Sequence, residues 1–183
     1  WAVYTLTPQP DGTLTGETAR FSPNTCGTGG KRTVTFTRTG TDVPSTVSDP
    51  SALPARTVSP AAALHGRYHE DTVYENGAFP RGGPDLQVRT YCLRDASRCI
   101  SAFHAQDTTI PLIYADGKWT RNEEGLVVCA MGGTTQTKIT AEYPLRDSLE
   151  DPIKVLTGHG ENASVGGQCP GGKFTDKFVR TGD

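Results

Sequence analysis

The C-terminal run Leu156-Thr157-Gly158, Cys169, Gly171-Gly172-Lys173, Phe178, Arg180-Thr181-Gly182 decides the fold, because the chain has already spelled it once. Near the N-terminus the same order reads Leu14-Thr15-Gly16, Cys26, Gly29-Gly30-Lys31, Phe36, Arg38-Thr39-Gly40. From the Gly-Gly pair onward the two copies align without a gap. Upstream, Ala2-Val3-Tyr4 answers Ala141-Glu142-Tyr143, with slack in the loop between. A repeated unit with a cysteine, a glycine turn and an alternating strand is a structural module. What precedes the second copy has no counterpart before the first. The chain therefore reads as one whole repeat preceded by the tail of another.

Composition bounds the rest. Apolar residues make up 34% of the 183 residues, with 21 Gly and 13 Pro, which favours short strands and many turns over long helices. The length suits one domain, or a domain with a small satellite. A net charge of -2 and the lack of a Lys/Arg run give no footprint for nucleic acid. No apolar run approaches the ~20 residues that cross a bilayer, and no signal peptide is visible. An address outside the cytoplasm would have to come from sequence upstream of Trp1, so the chain is read as part of a longer protein.

The five cysteines, Cys26, Cys92, Cys99, Cys129 and Cys169, include no Cys-x-x-Cys pair, so zinc-ribbon and thioredoxin-type motifs are missing. Cysteines scattered between strands point to disulfides and an oxidising compartment.

Three segments follow. Residues 1–42 are an incomplete β repeat, with strands at 1–7, 14–22 and 33–38. Three short strands with so few apolar residues are marginal alone and need a neighbour. Residues 43–64 are a linker with Pro44, Pro50 and Pro54, closed by a short helix that Ser59 caps and Pro60 opens. Residues 65–183 form the main β domain. Strands are expected at 67–75, 86–93, 99–104, 111–115, from 118, at 126–129, 134–143, 153–157 and 174–179. Asn76-Gly77 and Asp116-Gly117 are turns, and Arg81-Gly82-Gly83-Pro84 is loop. The expected fold is mainly β: an antiparallel two-sheet sandwich or partly closed barrel, with short helical segments and disulfide bracing.

The repeat also sorts the cysteines. Cys92 and Cys99 face each other across a hairpin. Cys26 corresponds to Cys169, and Cys169 pairs with Cys129. On chain entropy these loops contribute roughly 2–3 and roughly 4 kcal/mol. The counterpart of Cys129 would precede Trp1, which leaves Cys26 unpaired or bridged to another chain. The incomplete repeat is accordingly expected to dock across a homodimer interface.

Few constellations carry chemistry. The run from Gly27 to Lys31 imitates a phosphate loop, but Thr25 and Arg32 stand where Gly and Ser/Thr are required, and a strand follows. His65, His69, Glu70 and Asp71 are the only cluster of ligand-type side chains. His65 and His69 are the weak metal candidates, and a third zinc ligand would have to come from distant His104 or His159. Solvated strand-edge side chains are the favoured reading. His104 with Asp107, and His159 with Glu161, lack a nucleophile held by a Gly-x-Ser-x-Gly turn. Asp147, Glu150 and Asp151 match no calcium-loop spacing. No catalytic residue is assigned. Tyr68, Tyr74, Tyr91, Phe103, Tyr114 and Trp119 read as core or cross-strand pairs, with a ligand groove as the alternative.

Three stretches carry a family resemblance: Gln87-Val88-Arg89-Thr90-Tyr91-Cys92-Leu93-Arg94, the run from Tyr114 through Asp116-Gly117-Lys118-Trp119-Thr120 to Gly125, and Phe178-Val179-Arg180-Thr181-Gly182-Asp183. They resemble the extracellular C-terminal sensor domain of mycobacterial receptor-type serine/threonine kinases. The resemblance implies a cytoplasmic ATP-dependent kinase domain and a single membrane helix upstream. It implies a domain that is not itself an enzyme, holds no cofactor, takes an unknown extracellular ligand and signals through dimerisation. The kinase signatures themselves are missing from this stretch of chain. The alternatives are a secreted cell-envelope binding module without a signalling role, and an extracytoplasmic thiol-redox protein.

Overall fold

The computed structural model describes residues 2–20, 31–40, 50–77, 81–105, 109–129, 133–145, 150–165, 169 and 171–183. Cys26, Asp107, Asp147 and the run 27–30 lie outside these residues.

The chain builds two antiparallel sheets. β1 (Ala2–Pro8), β2 (Leu14–Arg20) and β3 (Lys31–Phe36) form a three-stranded meander. β4 (Gly66–Tyr74), β5 (Arg81–Cys92), β6 (Cys99–His104), β7 (Thr109–Ala115), β8 (Lys118–Val128), β9 (Thr134–Pro144), β10 (Val155–Val165) and β11 (Gly172–Gly182) form a closed up-and-down barrel. The fold is mainly β with short 3-10 helices, as expected, and closure is complete because β11 pairs back onto β4. Cys92 is joined to Cys99, opposite residues on β5 and β6, and Cys129 to Cys169, the two pairs set out above.

Strand periodicity places the core. On β7 the buried residues are Ile110, Leu112 and Tyr114, and on β9 they are Thr135, Thr137, Ala141 and Tyr143, so every second side chain enters the barrel. Outward positions on β9 are Thr134, Gln136, Lys138, Thr140, Glu142 and Pro144, a face made for water rather than lipid. The outer face is apolar at Ile100 and Ala102 on β6, which Tyr91 and Ile113 cover.

One end of the barrel is plugged. Ser59 caps the 3-10 helix Pro60–Ala63 by accepting from the Ala61 N–H, and Ala61, Ala63 and Leu64 enter the core beside Tyr68, Phe103 and Phe178. The tail of the sequence-read linker is thus barrel interior. A buried hydrogen-bond chain fixes this plug. The Trp119 indole N–H donates to Ser101 (3.0 Å), Ser101 lies 2.8 Å from the Thr90 hydroxyl, and Thr90 donates to the Leu64 carbonyl (2.5 Å). Every donor in that chain is used, which is what burial demands.

Three expectations need correction. The run 81–84 is strand, not loop. β5 bulges against β4 between the pairs His69–Asp85 and Asp71–Gly82, and a bulge is where a sheet accepts proline. Gly83 belongs there because a Cβ would lie 2.8 Å from the Glu70 Cβ. The strands from 118 and at 126–129 are a single strand, β8. β10 begins at Val155 and runs eight residues past the expected end at 157, to Val165, because its two glycines are packing devices rather than turns.

Gly158 faces inward, and the Tyr143 ring lies across it. A Cβ at 158 would meet that ring at 2.2 Å. The ring crosses from β9 over β10 so that its hydroxyl donates to Asp176 on β11 (2.8 Å). Gly160 likewise leaves room for Ala141 and Phe174.

The repeat recurs as register. Leu14 pairs with Phe36 as Leu156 pairs with Phe178, and Gly16 with Val34 as Gly158 with Asp176. All six β2–β3 pairs recur between β10 and β11 at one constant offset. The first strand needs adjustment. Tyr4 pairs with Thr18 while Gly160 pairs with Ala141, so Tyr4 corresponds to Ala141, and Leu6 falls at the Tyr143 position. The topology of the two copies is shared. No barrel strand pairs with β1–β3, however, so this sheet does not extend the one that ends in Phe178.

Gly158→Ala is expected to push Tyr143 off Asp176 and to cost about 3 kcal/mol in urea unfolding, the upper range for overpacking. Gly40→Ala, where a Cβ meets nothing within 4 Å, is the control and should change stability little.

Candidate functional site

Inside the barrel, the side-chain chemistry changes from end to end. Going up β4 from the plug, the inward residues are Tyr68, Glu70, Thr72 and Tyr74; on β8 they are Trp119, Arg121 and Glu123. Down β11 from the opposite end they are Phe174, Asp176 and Phe178. Each of these strands therefore carries a large aromatic near the plug and a charge one pleat above it. Three carboxylates converge on one guanidinium. Arg121 Nε and Nη2 donate to Glu123 Oε2 at 3.0 and 2.9 Å. Arg121 Nη1 lies 3.6 Å from both Glu70 Oε1 and Asp176 Oδ2. Asp176 is fully buried and also accepts from Thr72 (2.5 Å) and Tyr143 (2.8 Å).

The cluster is inward yet not sealed. Side-chain exposure rises from 0% at Asp176 through 11% at Arg121 and 13% at Glu70 to 27% at Glu123. Solvent thus reaches it from the end opposite the plug. At that end Asn162 Nδ2 donates to the Tyr74 hydroxyl (3.3 Å), while Asn162 Oδ1 is buried and finds no donor among the described residues. An unmet buried acceptor is uncommon enough to need a reason.

Electrostatics follow from burial and from the excess of carboxylates. Burial, then Asp176, pushes the Glu70 carboxyl up to about 7, and Arg121 offsets this only in part. Burial and the Asp176 charge raise the Tyr143 phenol well above its usual range. Burial alone would lower Arg121, but Glu123, Tyr143, Glu70 and Asp176 hold it charged. Near neutral pH the site therefore carries surplus negative charge and one carboxyl poised between its two forms.

The metal candidates do not come together. The pleat of β4 turns Glu70 inward and His69 and Asp71 outward. His69 Nδ1 sits 3.1 Å from Asp85, and His65 pairs with Asp151 at 2.9 Å. Among the described residues no group of three or more His, Cys, Asp or Glu is arranged to hold a metal ion. His104 lies against Thr109 (2.9 Å), His159 against Thr175 (3.2 Å), and Glu150 against Lys154 (3.1 Å). Sequence reasoning named Glu70 in the wrong company and missed Arg121, Glu123 and Asp176. The signal was there: each stands two residues from an aromatic, or two from another such charge, at inward parity.

Two measurements probe the cluster. Glu70 keeps its proton when folded at a pH where the unfolded chain, near 4.5, has released it. Between about 4.5 and 7 the folded state binds more protons, so stability falls as pH rises through that window, by on the order of 2–3 kcal/mol. Glu70→Gln should flatten this part of a pH series of urea unfolding curves. Arg121→Met strands Asp176 in the interior and should cost about 3–5 kcal/mol; adding Asp176→Leu should recover much of that loss.

Comparison of this chain with protein-family models, with characterised proteins and with solved structures finds no match.

Proposed function

We propose that the barrel is the ligand-receiving part of an extracellular sensor domain of a single-pass membrane serine/threonine kinase. One observation carries the binding half of this reading: the interior is plugged by packed aromatics at one end and lined by a partly accessible charged cluster at the other. Eight strands enclose just enough room for side chains or for one small ligand. Surplus carboxylate charge and the unmet Asn162 acceptor favour a small ligand that donates hydrogen bonds or carries positive charge. The signalling half rests on the resemblance. The three stretches that carry it lie on β5, the β7–β8 hairpin and β11, and they contribute Trp119, Arg121, Glu123 and Phe178 to the interior.

A thiol-redox role is disfavoured, because Cys99, Cys129 and Cys169 are buried and redox exchange needs an accessible thiolate. A cell-envelope binding module without a kinase shares the barrel and differs only in what precedes it.

The full-length protein in membrane vesicles tests both halves. Phosphate incorporation from ATP is expected, to respond to 1,4-diaminobutane but not to 1,4-butanediol, and to lose that response in Glu70→Gln. A full-length protein that incorporates no phosphate sinks the kinase reading. Calorimetry on the barrel with the same diamine then decides whether binding survives.

A further inference from the structure

The sheet β1–β3 has the pairing of barrel strands β9–β11 but not their surroundings. In the barrel, Ala141, Leu156 and Phe178 are buried. Their counterparts by register, Tyr4, Leu14 and Phe36, are 46%, 37% and 45% exposed. Tyr4 and Phe36 pack edge to face, 5.8 Å between ring centres, so among the described residues the apolar face is assembled and open at Tyr4, Leu14 and Phe36, while Thr18 beside Tyr4 is buried. Both outer edges of the sheet, β1 and β3, also lack a strand partner among the described residues.

We infer that β1–β3 are the last three strands of a second barrel of the same kind. Its other five strands form a β4–β8-type half that lies ahead of these strands in the full-length polypeptide. The register requires that order, because in an up-and-down barrel β9–β11 come last. β1 pairs with a β8-like edge and β3 with a β4-like edge, as β9 and β11 do. The missing half covers Tyr4, Leu14 and Phe36. Its interior differs at several positions: Leu6 stands where the barrel has Tyr143, Thr18 where it has Gly160 and Arg32 where it has Phe174. Val34 stands where the barrel has Asp176, so the position facing it is apolar and not an arginine like Arg121.

A second copy of this chain fits less well. Its β4–β8 are already paired with their own β9–β11. If β1–β3 displaced them, Arg121 would lose the Asp176 carboxylate to an isopropyl group and Tyr143 would have no counterpart hydroxyl, since Leu6 occupies that place.

Amide hydrogen exchange read by mass spectrometry tests the proposal on residues 1–183 and on the full-length protein. Amides of β1–β3 should exchange at least about a hundredfold more slowly in the full-length protein, while those of β4–β11 are alike in both. Equal exchange in the two proteins overturns the inference. So does protection in residues 1–183 that rises with concentration alongside dimer formation in sedimentation, which would make a second copy the cover. In the full-length protein, Val34→Asp should abolish β1–β3 protection and leave barrel exchange unchanged. Retained protection in that variant would mean a cation faces position 34 and would overturn the assignment of an apolar partner.

Discussion

A sheet of eight strands closes only if its last strand meets its first, and the pairing of β11 with β4 is the contact on which the rest depends. It gives the first and the last strand of the barrel a neighbour on both sides. It also turns the period-two alternation of each strand into an inside and an outside. Without closure Glu70 on β4 and Asp176 on β11 would stand at opposite margins of an open sheet. With closure they share one guanidinium.

Closure sets a second constraint, that the inside be filled. The aromatic layer does this near the plug, and glycine makes it geometrically feasible. Tyr143 can span a whole strand because Gly158 yields its side-chain volume, and Asp176 then receives a phenol hydroxyl in a place that water does not reach. The polar end is the converse. Three acids around one base is more charge than a core holds for stability alone, since buried ion clusters contribute little net stability against their desolvation. Burial first, and then the neighbouring Asp176 charge, raise the Glu70 carboxyl.

The two copies of the repeat show how context acts on one pattern. Leu-Thr-Gly followed by Lys and Phe yields the same two-strand register twice, because glycine position and strand alternation fix which residues face each other. In one copy that face is the buried lining of a barrel. In the other, Tyr4, Leu14 and Phe36 stand partly open, because no further strands complete a circle around them among the described residues.

The sequence by itself determined the β class, the turns at Asn76-Gly77 and Asp116-Gly117, the Ser59 cap, the placing of Cys92 and Cys99 across one hairpin, and the internal repeat. All of these are local, or follow from matching one stretch of chain to another. It misread the run 81–84 and the end of β10, since glycine and proline signal turns locally while a bulge or a close ring contact is defined by the strand alongside. Only the tertiary structure decided that the sheet closes, that residues 60–64 plug it, and that Glu70, Arg121, Glu123 and Asp176 meet. These residues are spread over most of the barrel's length in sequence. Strand alternation says only that each turns inward or outward. Which inward residues stand at the same height follows from the stagger of eight strands around a closed circle.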